Sequence, residues 1–134
     1  MEKLINNTIF KYCEDFWLTE VNFNEVQSTF EIYKDEINEK LVSKILEKIE
    51  ANLLGDIEKK SIEILKFLSI IFWENDRNTE FKFAGFIIDE YVDYVHSDFR
   101  MCFHCFGQDN FSDFANWVVD IKDFKIVGCS RLQL

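Results

Sequence analysis

The residues best suited to do chemistry are grouped in Cys102-Phe103-His104-Cys105. On a strand, Cys102 and His104 share one face, while Cys105 points the other way with Met101 and Phe103. Two such ligands begin a zinc site, which Cys129 or His96 could complete. Structural zinc sites usually draw on two paired ligand motifs. Here there is one pair, so a core cysteine and a surface histidine are the ordinary assignment. A cysteine nucleophile needs a base beside it and a cause for a lowered pKa. Either histidine could serve, oriented by Asp93 or Asp98, yet neither Cys102 nor Cys105 falls at a helix N-terminus. Gly-rich phosphate loops, the G-x-S-x-G elbow, the H-E-x-x-H pair and the acidic calcium loop are all missing from the sequence. The expectation is a non-enzymatic protein without a cofactor. The alternative is a small enzyme or metal-binding protein built on Cys102, His104 and nearby acids.

The acids say more by distribution. From Glu74 to Asp123 there are eleven carboxylates against Arg77, Lys82, Arg100 and Lys122, which accounts for seven of the ten net negative charges. Asp89, Glu90, Asp93 and Asp98 are interleaved with Tyr91 and Tyr94. Tyrosine supplies amphipathic contact area, and carboxylates complement Arg or Lys. These six residues are therefore the first candidate partner-binding surface, with Asp109 and Phe111 in the loop Gly107–Asp113 as a second. A solvated strand edge, kept from aggregating by its charge, is the ordinary alternative. For Phe111 and Trp117 it is closure of one end of the core.

The elements that must position these residues follow from periodicity. Phe16 to Phe23 and Val26 to Tyr33 are rich in β-branched and aromatic residues, with Asn22 and Asn24 as turn formers, and read as a hairpin. A short strand or helical turn near Thr8–Cys13 precedes it. From Asp35 to Leu54 the period changes: Ile37, Leu41, Ile45, Ile49 and Leu53 recur every four residues, with Val42 and Leu46 widening the stripe. Asp35 is the expected cap and Gly55 the expected stop. A second helix, capped by Asp56, runs to about Trp73 or Glu74. Its half ILKFLSIIFW is apolar almost all round and should be buried on two sides. After the loop Glu74–Glu80 comes an aromatic sheet. Phe81–Ile88 reads as an interior strand, Phe99–Phe106 as another, and Phe114–Ile121 with Phe124–Arg131 as a hairpin turning at Lys122-Asp123. Tyr91–His96 is either a bulged continuation or a strand of its own. The fold class is α+β: an N-terminal β-hairpin, two antiparallel helices, and a mainly antiparallel sheet of four to six strands packed on them.

Bulk properties bound the rest. A chain of 134 residues with 48% hydrophobic and 30% charged residues has the size and composition of one globular domain. With no Pro and four Gly it shows no linker. A net charge of −10 argues against nucleic acid and against anionic membranes, and permits a basic protein partner. The first residues, MEKLINNTIF, hold no long apolar segment of the kind an export signal needs, so the expected site is the cytoplasm with Cys13, Cys102, Cys105 and Cys129 reduced. A homodimer joined along an exposed sheet edge is a further expectation.

In its order of elements and its acidity the chain resembles, in general character, small bacterial proteins that include immunity proteins of polymorphic toxin systems. The abundance of Phe, Ile, Asn and Lys agrees with an AT-rich bacterial genome. That resemblance implies an inhibitor whose acidic edge or loops occupy a basic site on a toxin. It implies no role for any single residue.

Overall fold

The computed structural model describes residues 1–73, 80–106 and 115–133. Eight strands form one sheet in chain order: β1 Glu2–Ile5, β2 Thr8–Cys13, β3 Phe16–Phe23, β4 Val26–Ile32, β5 Glu80–Ile88, β6 Phe99–Phe106, β7 Ala115–Lys122 and β8 Lys125–Gln133. Helices α1 (Glu39–Glu50) and α2 (Gly55–Trp73) lie between β4 and β5, and one turn of helix, α3 (Tyr91–Tyr94), lies between β5 and β6. The class is mixed α+β, and the sheet exceeds the four to six strands expected from sequence. The surplus comes from the first thirteen residues, where Glu2–Ile5 and Thr8–Cys13 pair through Asn6-Asn7.

Every neighbouring pair is antiparallel except one. β4 and β5 run parallel, with Thr29 opposite Gly85 and Ile32 opposite Ile88. A parallel neighbour cannot be reached by a tight turn, so the chain must cross over the sheet, and α1 and α2 are that crossover. α1 lies over β1 and β3, whereas α2 reaches from β5 to β8.

Three of the antiparallel joins are two-residue turns without glycine. Asn6-Asn7, Asn24-Glu25 and Asp123-Phe124 each occupy the two positions of a two-residue loop, and all six have φ between 49° and 64°. Positive φ at both positions marks the type I′ turn, whose twist suits a hairpin, and Asn or Asp at the first position tolerates it best. The last turn therefore sits one residue beyond the expected Lys122-Asp123.

The face of the sheet toward the helices is aromatic. Phe10, Phe30, Phe86, Phe99 and Phe103 are fully buried there. Phe10 meets Phe30 edge-on at 5.5 Å, Phe23 meets Phe86 at 5.5 Å, and Phe83 meets Phe103 at 5.7 Å. Edge-to-face geometry places the positive rim of one ring on the negative face of the next, adding about 0.5–1.5 kcal/mol per pair beyond burial.

The helix boundaries differ from expectation for local reasons. α1 is capped by Asn38, whose side chain accepts from the Leu41 N–H at 3.2 Å, rather than by Asp35. Buried Ile37 just before the cap and buried Val42 in the first turn occupy the positions of a hydrophobic staple, which fixes the entry. The helix ends in a Schellman motif: Asn52, at φ 57°, donates to the Ile49 carbonyl, and Leu53 donates to Lys48. Gly55 therefore opens α2 instead of closing α1, and Asp56 lies in the first turn, where its charge suits the helix dipole. Tyr91–His96 is neither of the strand alternatives. Val92 is buried, Val95 donates to the Tyr91 carbonyl, and His96 takes φ 55°, which turns the chain back into β6.

The parallel seam leaves no room at Gly85. A Cβ built there falls 2.5 Å from Thr29 Oγ1 and 2.7 Å from the Thr29 carbonyl oxygen, beside a β-bulge between Phe83 and Gly85. Gly85→Ala is expected to destabilise the fold by about 1–3 kcal/mol, as overpacking against backbone does. Chemical denaturation checks this, and Thr29→Ser should recover little, because the backbone clash remains.

Candidate functional site

Because β4 and β5 are parallel, Ile32 and Ile88 end at the same edge of the molecule, and the segments that follow leave side by side. Tyr33 N–H donates to the Ile88 carbonyl at 2.8 Å, extending the ladder by one step. Lys34 then bridges to Asp93 at 2.6 Å, tying the β4 exit to the β5 exit. The β7–β8 turn arrives at the same end: Asp98 N–H donates to the Ile121 carbonyl, and the Asp98 carboxylate accepts from Asp123 N–H at 2.9 Å. The start of α1 closes the far side.

Three adjoining hollows run along this end. The largest, about 600 Å³, is lined by Tyr33, Lys34, Asp35, Glu90, Asp93 and Tyr94. A second, about 270 Å³, shares Lys34 and Asp93 and adds Glu36, Asn38, Leu41, Ser97 and Asp98. The third, about 390 Å³, shares Asn38, Leu41 and Asp98 and ends at Lys40, Lys44, Asp123 and Phe124. Together they carry six carboxylates (Asp35, Glu36, Glu90, Asp93, Asp98 and Asp123) against three lysines. Tyr94 is 77% exposed at the rim. Tyr33 is held flat by a stacked contact with Phe16 at 4.7 Å, and its hydroxyl donates to Glu31 at 2.8 Å.

The sequence-derived candidates divide by role. Glu90, Asp93, Tyr94 and Asp98 converge at this end, joined by Asp35, Glu36 and Asp123, which lie far away in sequence. Asp89 turns inward. One of its carboxylate oxygens caps Tyr91 N–H at 3.1 Å and the other accepts from Arg100 at 3.2 Å. Arg100 lies on the sheet face opposite the helices and is 3% exposed. It donates through Nε to Asp120 at 2.9 Å and through a terminal nitrogen to Ser130 at 3.2 Å, and it lies 5.2 Å from the Tyr91 ring. Asp89 and Tyr91 thus anchor α3 to the sheet. Asp109 and Phe111 lie outside the described residues.

The cysteine cluster does not assemble. Cys102 and His104 share the face opposite the helices, whereas Cys105 and Cys129 pack on the helix side. His104 Nδ1 sits 2.7 Å from Asn116 Oδ1, and His96 lies at the crossover end. Burial pushes the Cys102 thiol up to about 11, Glu31 adds to the rise and Arg100 opposes it. A thiol so held is protonated near neutral pH and is a poor nucleophile. Among the described residues no three His, Cys, Asp or Glu side chains come together as metal ligands, and no helix is long and apolar enough to cross a membrane.

Comparison with protein-family models, curated proteins and solved structures finds no match to this chain.

Two measurements probe the groups that hold the site. Asp120→Ala leaves a buried guanidinium short of one partner and is expected to cost about 3–5 kcal/mol, read by chemical denaturation. Arg100→Leu, which strands the buried Asp120 and the partly buried Asp89 without their cation, should cost at least as much. Separately, burial and then the Glu31 hydrogen bond push the Tyr33 hydroxyl from 10.0 up to about 12. The neutral phenol is the favoured form, so its contribution to stability is complete below pH 10 and is lost as pH rises toward 12. Ultraviolet titration of tyrosinate should show one late-ionising tyrosine that disappears in Tyr33→Phe and moves to lower pH in Glu31→Gln.

Proposed function

We propose that this protein is a non-enzymatic binding domain whose acidic crossover end receives a basic segment of a protein partner. The immunity-type inhibitor, occupying a basic site on a toxin in the bacterial cytoplasm, is the specific form of this reading. The observation that carries it is the gathering of six carboxylates from separate parts of the chain around hollows rimmed by Tyr33 and Tyr94. Carboxylates at such a rim steer a cationic partner and raise its association rate. An exposed tyrosine supplies the contact area that lets a few residues dominate affinity. The same charge, −10 overall, disfavours nucleic acid and anionic lipid. The alternative of an enzyme or metal protein based on Cys102 and His104 draws no support from a buried, protonated thiol with Cys105 and Cys129 on the other side of the sheet.

The test is co-purification with the product of the adjacent gene, followed by titration calorimetry. A stable complex is expected, weakening as salt rises. Tyr94→Ala should weaken it by about tenfold or more, the loss of a contact residue worth about 1–2 kcal/mol. Glu90→Lys should slow association while leaving the fold intact, since Glu90 is exposed. No complex, or one indifferent to both changes, would overturn the reading.

A further inference from the structure

Helix α2 carries apolar residues on its outer side as well as on its sheet side. On its sheet side Ser61, Leu65 and Ser69 follow one another at four-residue spacing, and all three are fully buried. Both serine hydroxyls are satisfied within the helix, Ser61 donating to the Ile57 carbonyl at 2.7 Å and Ser69 to the Lys66 carbonyl at 3.0 Å. On the outer side Ile64, Phe67 and Ile71 form a continuous row and are 36%, 61% and 53% exposed. These positions are i, i+3 and i+7, the spacing of an interhelical seam. Together with Ile70, 36% exposed, the row covers on the order of 400 Å² of apolar surface, within the range of the largest patch a monomer carries, which is often functional.

We propose that this row is the interface of a homodimer, in which α2 packs antiparallel against α2 of a second copy across a two-fold axis. An isologous interface requires a patch that complements itself. An axis passing midway between Ile64 and Phe67 sets each of these against the other in the second copy, and sets Ile71 against the methylenes of Lys60. Glu63 and Lys66 lie along the same margin of the row. Antiparallel packing brings that margin against its own copy, so Glu63 of each chain comes within reach of Lys66 of the other. Charge also selects this occupant. Over its length α2 is balanced, with Lys59, Lys60 and Lys66 against Asp56, Glu58 and Glu63, on a chain of net −10. A balanced helix surface offers a basic partner none of the attraction of the crossover end, whereas a second copy meets its own compensating pair.

Sedimentation velocity of the full chain over a concentration series tests the proposal. A reversible dimer is expected. Phe67→Glu should weaken it at least tenfold, and Ile71→Lys does the same if Phe67→Glu fails to fold by circular dichroism. Glu63→Lys should weaken the dimer, and the swap Glu63→Lys with Lys66→Glu should restore it, which only a reciprocal contact predicts. A monomer at every concentration, a dimer that survives both apolar changes, or α2 engaged by a different protein overturns the proposal. The result is separable from the partner-binding reading: Phe67→Glu should leave capture of a basic partner intact, and Glu90→Lys should leave the dimer intact.

Discussion

One join governs the architecture, the parallel pairing of β4 with β5. All other neighbouring strands are antiparallel neighbours in sequence. At this seam alone the chain must travel the length of the sheet before it can pair again, and the two helices are what it travels through. The seam also demands that a backbone carbonyl of one strand approach the α-carbon of the next, which is why Gly85 stands opposite Thr29. Most directly, it delivers two strand exits to one edge. A hairpin would have sent the residues after Ile32 straight back into the sheet. The parallel seam instead sets Tyr33–Asn38 beside Asp89–Asp98 and builds a surface from both.

What could be read in the sequence, and what could not, follows from this division between local and distant pairing. α1 declares itself because its apolar stripe has a single phase. Its cap is misplaced by three residues because Asp35 and Asn38 are both good caps, and buried Ile37 favours the second. Asn52 and Gly55 compete for the stop, and the left-handed position falls to Asn52. Tyr91–His96 imitates a strand, since alternation over six residues looks the same when only Val92 is truly inside. β1 escapes notice, and β2 stays undecided between a strand and a helical turn, because Leu4 and Ile9, on the face away from the helices, are exposed and break the expected contrast between wet and dry faces. The acids of Asp89–Asp98 are visible as a run, but Asp35 and Glu36 join them only through the seam, and Asp123 through the register of β6 with β7, neither of which a local pattern announces. That Asp89 belongs to buried Arg100 is equally a matter of tertiary placement.

α2 shows the limit of composition most plainly. A helix apolar on all sides is ordinarily enclosed on all sides, and the sequence leads to that expectation. The sheet supplies one side only. The phase of the helix is then decided by fit: serines go inward because they allow a close approach and satisfy themselves, and the bulkier Ile64, Phe67 and Ile71 are left outside.

The seam has a kinetic consequence as well. β1–β4 and β5–β8 are two meanders whose contacts are local in sequence, closed mostly by two-residue turns. Local pairings form early, whereas pairings across long loops wait on chain closure. Each meander can therefore organise on its own before the seam between β4 and β5 shuts. Until it does, two long strand edges, rich in Phe and Ile, stand open to solvent. The slow step in folding and the most aggregation-prone intermediate then share one cause, and α1 and α2, by docking across both halves, are what bring that exposure to an end.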